Sequence, residues 1–362
     1  MRILYGVVGE GMGHAIRSKV IIERLLQWGH EVEIVVSGRA HDFLKKRFEG
    51  VNRIWGLTIE MEDNRISKLD TALAVLQGAT TGWPENVRQY MDLTDRFSPD
   101  VVISDFETWS TLYAHNHRLP LICLDNIQAV RRLWHPAEVL RGRKADWRLT
   151  KGVIKAKIPH ADHYMVLSFF DSAPRKDRTT VVPPILRPEI LQATARDGEH
   201  ILVYQTSPTF SQLPDQLRLF GDIPFKIYGL RRDITEPVVE DNLTFCPFSE
   251  AGFIDDLASC RGVIASAGFT LIGEALYFGK PYLATPVRGQ FEQVMNARYI
   301  EHLGYGLQDE EFDEFSIRAF IGHLDEFAQN LQSYPRHDNE PVFEKLQILL
   351  DQAAAGVPLG FT

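Results

Sequence analysis

Cysteine is scarce in this chain. Three occur in 362 residues, Cys123, Cys246 and Cys260. They are odd in number, far apart and set in apolar context, which argues against a disulfide framework and predicts reduced core thiols in a cytoplasmic protein. Long apolar runs are also missing: no stretch reaches 18 residues, so no membrane-spanning helix is expected. The first residues lack a secretory-signal pattern, since Arg2 leads a short apolar run that gives way to glycines. Basic residues are in deficit, 39 Lys and Arg against 48 Asp and Glu, a net charge of −9. That balance argues against general nucleic-acid binding but leaves room for a local basic patch. Internal repeats and low-complexity segments are absent.

What remains is ordinary globular composition, 44% hydrophobic and 24% charged, over a length that favours two domains. Apolar strand-like runs alternate with helix-like segments. In the first half they are Arg2–Val8, Glu31–Val36, Asn52–Trp55, Val101–Ser104, Leu121–Leu124 and His163–Leu167. In the second they are Ile201–Gln205, Phe225–Tyr228, Asn242–Phe245, Gly262–Ala265 and Tyr282–Thr285. Short, nearly continuous apolar strands separated by helices predict an α/β fold of parallel sheets covered on both faces. "VVPPILRPEIL", Val181 to Leu191, has three prolines in eleven residues and reads as a connector. The expected layout is a Rossmann-like domain over 1–181, a linker over 182–191, a second such domain over 192–338 and a helical tail over 339–362. Ligands of open α/β sheets sit beyond the carboxyl ends of the strands. Two sheets facing each other would make a cleft there.

The loop after the first run, "GVVGEGMGHAIRS", carries Gly6, Gly9, Gly11 and Gly13 within eight residues. It is not the dinucleotide fingerprint, which needs glycines at i, i+2 and i+5. From Gly9 the third position is His14, and from Gly11 it is Ile16. No acidic residue at the end of the second strand is placed to hold a ribose. The glycines instead permit a tight turn and close approach of a ligand. His14 then falls in the first turn of a helix whose buried face includes Ile16, Val20, Ile21, Leu25 and Leu26. A positive helix end disfavours imidazolium, so His14 is expected to be neutral and able to accept a proton. The simpler reading is that it only fills the turn.

A second constellation follows the strand Gly262–Ala265. Ser266, Gly268 and Thr270 sit where a helix begins, a site for phosphate oxygens. Glu274 lies one turn further on the same face, placed to accept two vicinal ribose hydroxyls. After the strand ending at Thr285 comes a polar run including Gln290, Glu292 and Gln293, able to hold sugar hydroxyls.

These two segments together resemble GT-B fold glycosyltransferases, most closely the branch of the UDP-N-acetylglucosamine transferase of lipid II synthesis. The resemblance implies two Rossmann-like domains facing a cleft, an acceptor bound to the first and a nucleotide diphosphosugar, a UDP-sugar, bound to the second. Gly11, Gly13 and His14 match the acceptor-side glycine loop, with His14 as base. Thr206 and Ser207 match the loop at the diphosphate. Ser266, Gly268 and Thr270 match the phosphate-side helix start, Glu274 the ribose glutamate, and Gln290, Glu292 and Gln293 the donor-sugar loop. Phe248 falls where the family's backbone reads uracil. Asp105, in "SDFET", is an alternative base, or orients His14 or the acceptor. Arg17, Asn126 and Gln128 are further acceptor-side candidates.

Some features depart from the family. Met12 interrupts the glycines, and the donor loop reads F-E-Q where the lipid II enzyme has paired glutamines. The residue eight before Glu274 is Ser266, so the glutamate pair of retaining enzymes is missing and inversion is implied. No D-x-D triplet is present to hold a metal, and no cofactor is expected beyond the donor itself. The diphosphate charge would then be met by helix dipoles, hydroxyls and Arg17 or Arg187. The same cleft would also suit a nucleotide-sugar hydrolase or epimerase, or a non-catalytic nucleotide-sugar-binding protein. Finally, Arg131 to Lys157 holds nine basic residues against Glu138 and Asp146, with Trp134 and Trp147 among them. That segment reads either as a solvated helical face or as a dock for an anionic membrane surface, which would make a cytoplasmic protein peripheral to the membrane's inner face.

Overall fold

The computed structural model describes residues 1–9, 11–56, 61–62, 65–66, 84–206 and 212–360. Two seven-stranded sheets dominate it. The first runs in the order Val51–Arg53, Glu31–Val36, Arg2–Val7, Val101–Asp105, Leu121–Asp125, His163–Leu167, Thr179–Val182, and every pairing is parallel. Its central strands are buried throughout, which is why they read as unbroken apolar runs.

The second sheet runs Val238–Glu240, Leu243–Cys246, Phe225–Tyr228, Ile201–Tyr204, Gly262–Ser266, Tyr282–Thr285, Gly306–Gln308. Only the edge strand Val238–Glu240 is antiparallel. This is the two-sheet α/β fold expected from the sequence. Three strands of these two sheets were not anticipated: Thr179–Val182, whose end runs into the proline-rich connector, and the short edges Val238–Glu240 and Gly306–Gln308. The three cysteines are buried and free.

Strand order reverses in each sheet, at Arg2–Val7 in the first and at Ile201–Tyr204 in the second. Such switch points splay the following loops and open a crevice at the carboxyl ends. The first helix, Met12–Gln27, leaves one crevice, and Phe269–Tyr277 starts beside the other. The first helix buries Ala15, Val20, Ile21, Ile22 and Leu25. Leu26 is exposed instead, one residue out of phase with the expected face.

The two halves are fastened at several points. Phe170 stacks on Tyr299 with ring centroids 3.5 Å apart, and His135 hydrogen-bonds the Tyr299 hydroxyl at 2.8 Å. Arg298 donates to the carbonyls of Val139 and Arg141. The last helix, Glu340–Ala354, crosses back to the first half. There Glu340 pairs with Arg24 at 2.6 Å and Phe343 packs edge-on against Trp28. Asn339 clamps the connector, accepting from the Leu186 amide and donating to its carbonyl.

Candidate active site

The glycine loop delivers His14 to the crevice. Gly11 occupies the helix N-cap position with φ +85°, a conformation a side chain resists. Gly13 lies against the other half: a Cβ there would stand 2.8 Å from Thr270 Oγ1, and Thr270 donates to the Gly13 carbonyl at 3.4 Å. The Gly11–Gly13 loop and the helix start at Gly268–Thr270 are therefore in contact.

His14 Nδ1 is 2.8 Å from Asp105 Oδ1. Asp105 ends its strand, fully buried, and Phe106 turns the chain sharply behind it at φ +54°. Glu107 then caps the next helix through the amides of Trp109 and Ser110. Arg17, one helical turn from His14, donates through Nε to Asp105 Oδ2 at 2.8 Å and through Nη2 to Oδ1 at 2.5 Å. Ser18 donates to Oδ2 at 3.1 Å.

Nη2 of Arg17 also lies 2.6 Å from His14 Nδ1, so two partners compete for that nitrogen. Arg17 Nη2 already has an acceptor in Asp105. The assignment that wastes no donor puts the proton on Nδ1, shared with the carboxylate. Nε2 is then the basic nitrogen. Burial, then the Arg17 cation, hold the His14 pKa below its ordinary 6.5 against the opposing pull of Asp105. Burial alone would raise the Asp105 pKa, but Arg17 and His14 outweigh it and keep the carboxylate ionised.

Asn126 and Gln128 follow the neighbouring strand end. Asn126 Oδ1 accepts from Arg17 Nη1. Gln128 is buried, and neither polar atom of its side chain has a partner among the described residues. Buried polar atoms are rarely left so, and this amide is a natural contact for a ligand. Asp125 was not singled out from the sequence. It accepts from the Gln128 amide at 2.7 Å and from the Cys123 thiol, and burial pushes its pKa up to about 6. Its signal was the aspartate in "LDNIQ", in the same strand-end position as the one in "SDFET".

On the other side Ser266 ends its strand and Gly268 is the N-cap of the helix Phe269–Tyr277, whose first turn contains Thr270. Thr206 is exposed beyond the strand Ile201–Tyr204, and Ser207 lies outside the described residues. Phe248 presents its ring to solvent at 88% exposure. Gln290 caps the helix Phe291–His302; Gln293 bonds to its side chain and accepts from the Val287 amide. Glu292 Oε1 accepts from Asn126 at 2.7 Å and from Asn296 at 2.6 Å. Burial raises its pKa to about 7 despite these bonds. Thr285 Oγ1 is buried without a hydrogen-bond partner among the described residues.

Glu274 is buried and bound bidentately by Arg187, at 2.7 Å on each oxygen. Arg187 also reaches Glu250 at 3.0 Å. Each Glu274 oxygen keeps a second lone pair for a hydroxyl. The expectation that Arg17 or Arg187 answers phosphate needs correction: both guanidinium groups neutralise buried carboxylates.

The basic stretch divides. Arg131 and Arg132 are buried, donating to backbone carbonyls at Ile158 and Asp177. The helix Lys144–Lys157 instead lies on the surface. Ala145, Leu149, Val153 and Ala156 form an exposed apolar stripe, with Leu149 at 71% and Val153 at 52%. Lys144, Arg148 and Lys155 flank it and form no ion pair among the described residues. At its far end Lys157 stands 4.8 Å from the Phe106 ring, beside Asp105.

The model of a family described as glycosyl transferase family 1 matches residues 1–325. An uncharacterized glycosyltransferase of Methanosarcina acetivorans is 23% identical over 337 residues, 84% of this chain and 85% of that protein. Among solved structures, Phytolacca americana UGT2 in complex with UDP-2-fluoro-glucose and pterostilbene aligns with a TM-score of 0.64 at 13% identity, covering 98% of this chain and 99% of that one. MurG of Acinetobacter baumannii aligns at 0.61 with 17% identity, covering 97% and 99%.

Proposed function

The chain belongs to glycosyl transferase family 1, and from that premise we propose that it moves a sugar from a UDP-sugar to an acceptor hydroxyl with inversion at the anomeric carbon. The observation that carries this reading is the placement of the His14–Asp105 pair against the helix start at Gly268–Thr270, joined where Thr270 meets Gly13.

In this reading the donor diphosphate lies on the free amides of that helix, whose dipole favours negative charge. Ser266, Thr270 and Thr206 supply hydroxyls, Glu274 meets the ribose, and the base sits near Phe248. Glu292, Gln290 and Gln293 hold the sugar. The acceptor enters from the Gln128 side. His14 Nε2 removes the proton of the acceptor hydroxyl as its oxygen attacks the anomeric carbon. The bond to the diphosphate breaks, and UDP leaves with the electron pair. Asp105 keeps the imidazole in the required tautomer and balances its charge once protonated. No metal has a part in this scheme.

The acceptor is a lipid-linked molecule, as the resemblance to the lipid II branch suggests, and the exposed face of Lys144–Lys157 sets the protein on an anionic membrane. Apolar side chains would enter the interface while the flanking cations meet lipid headgroups.

A thermal-shift panel of nucleotide diphosphosugars tests the donor assignment, since ligands of the native state raise the midpoint by mass action. UDP-sugars are expected to raise it. A panel without effect would count against the reading, and rapid release of free sugar without acceptor would favour a hydrolase.

A further inference from the structure

One short amide touches both halves of the site. Asn126, 5% exposed, accepts from Arg17 through Oδ1 and donates from Nδ2 to Glu292 Oε1. A guanidinium can only donate and a carboxylate can only accept, so the two ends of this amide cannot be exchanged. Beyond Arg17 the line continues to both oxygens of Asp105 and on to His14. Beyond Glu292 it continues to Asn296, which donates to the Ala267 carbonyl beside the phosphate-side helix start. An unbroken path of hydrogen bonds thus runs from the imidazole across the interface to the donor half. Residues of other types would break it: aspartate has no proton to donate to Glu292, and alanine has neither group.

Glu292 is suited to the far end. It is only half-buried, and its Oε2 accepts no hydrogen bond among the described residues. One oxygen is therefore committed to Asn126 and Asn296 while the other is open to a sugar hydroxyl.

We propose that Asn126 is a positioning residue that senses, through Glu292, whether the two halves are closed, and holds Arg17 and hence the His14–Asp105 pair in register only when they are. When the halves part, Glu292 withdraws and the Asn126 amide loses the partner that orients it. Arg17 then keeps its two bonds to Asp105 but is no longer fixed on its Nη1 side, and its guanidinium can shift relative to the ring. The proposal takes its meaning from the transferase reading, but its test needs neither donor nor acceptor.

The test is an NMR titration of the His14 imidazole in the full chain, assigned by its loss in His14→Gln. The charged groups facing His14 are Arg17, Asp105 and Lys157, and Arg17 is the one that this path holds in place. Asn126→Ala should raise the His14 midpoint, because the Arg17 cation that depresses it is no longer fixed beside the ring. Glu292→Ala, in the other half, should raise it too. Glu292→Gln loses the same charge but keeps an oxygen for Asn126, so it should leave the midpoint at or slightly below the wild-type value. Loss of the Glu292 charge would act equally and weakly in both Glu292 variants, because a carboxyl whose pKa is about 7 is largely protonated where His14 titrates, so a rise in Glu292→Ala alone separates coupling from plain electrostatics. Small-angle scattering on the same samples should show a larger radius of gyration for the two alanine variants only. Equal shifts in the two Glu292 variants, or an unmoved midpoint in Asn126→Ala, would overturn the proposal. Because the variants lie in different halves, a folding defect in one leaves the other to decide. Failure of UDP to bind would contradict the transferase reading without touching these results.

Discussion

At His14, burial and the adjacent Arg17 both disfavour the imidazolium, so the ring stays neutral to lower pH than a free histidine. The acid limb of kcat/KM should therefore fall below pH 6.5. Arg17→Gln should move that limb to higher pH, since it removes the cation that depresses the midpoint. A limb that stays put would show that Arg17 does not tune the base. His14→Gln should slow turnover by roughly 10²–10⁴-fold, the usual contribution of a positioned acid or base. Much of this was visible in the sequence. Glycines before a histidine at a strand end, and an aspartate at another, pointed to the crevice in which the two side chains meet. The tie between Arg17 and Asp105 was not visible. Helical spacing puts Arg17 one turn from His14 but does not say which carboxylate it meets 88 residues away. The left-handed backbone at Phe106 has no signal in a phenylalanine.

Among the elements, the connector is fastened by Arg187, buried against Glu274 and Glu250. Breaking such a buried pair by removing one partner costs about 3–5 kcal/mol, because the other charge is stranded. Arg187→Met should destabilise by that order in urea unfolding, and adding Glu274→Leu should recover most of it. A single variant as stable as wild type would mean the pair does not hold the connector. Strong apolar strands were easy to read. The edges Val238–Glu240 and Gly306–Gln308 are three residues each, too short for a periodic pattern. Thr179–Val182 was masked by the prolines that follow it. The surface helix Lys144–Lys157 offers its own check by co-sedimentation with anionic vesicles at low salt. Binding should be lost in Leu149→Glu/Val153→Glu and weakened by salt. Wild-type protein left wholly in the supernatant would remove the membrane role.

For the molecule as a whole, buried histidines and buried carboxyls respond to acid with opposite sign. His163 is 2% exposed, and burial holds its pKa down to about 4. Its folded-state pKa lies below the unfolded value near 6.5. The unfolded chain therefore takes up the proton first as pH falls. The stability is intact above pH 6.5 and is lost between there and about 4, by roughly 3 kcal/mol for this group. His14, His135 and His200 shift in the same direction. The urea midpoint should thus fall more, or rise less, from pH 7 to pH 5 in wild type than in His163→Gln, since the raised Asp125 and Glu292 carboxyls oppose the trend equally in both, and equal profiles would mean the His163 imidazole is already charged in the native state. The layout of two sheets meeting at their carboxyl ends was legible from the alternation of strands and helices. The contact of Asn126 with Glu292 was not, because 166 residues separate them and only the folded chain brings them together.

The central claim is that a nucleotide diphosphosugar binds at the Thr270 helix start, facing His14. Calorimetric titration with UDP tests it most directly. Wild type should bind, Thr270→Val should bind more weakly by about 1.5–3 kcal/mol, the worth of a hydrogen bond to a charged group, and His14→Gln should bind as wild type does. Absence of UDP binding to wild type, or full affinity in Thr270→Val with affinity lost in His14→Gln, would contradict it.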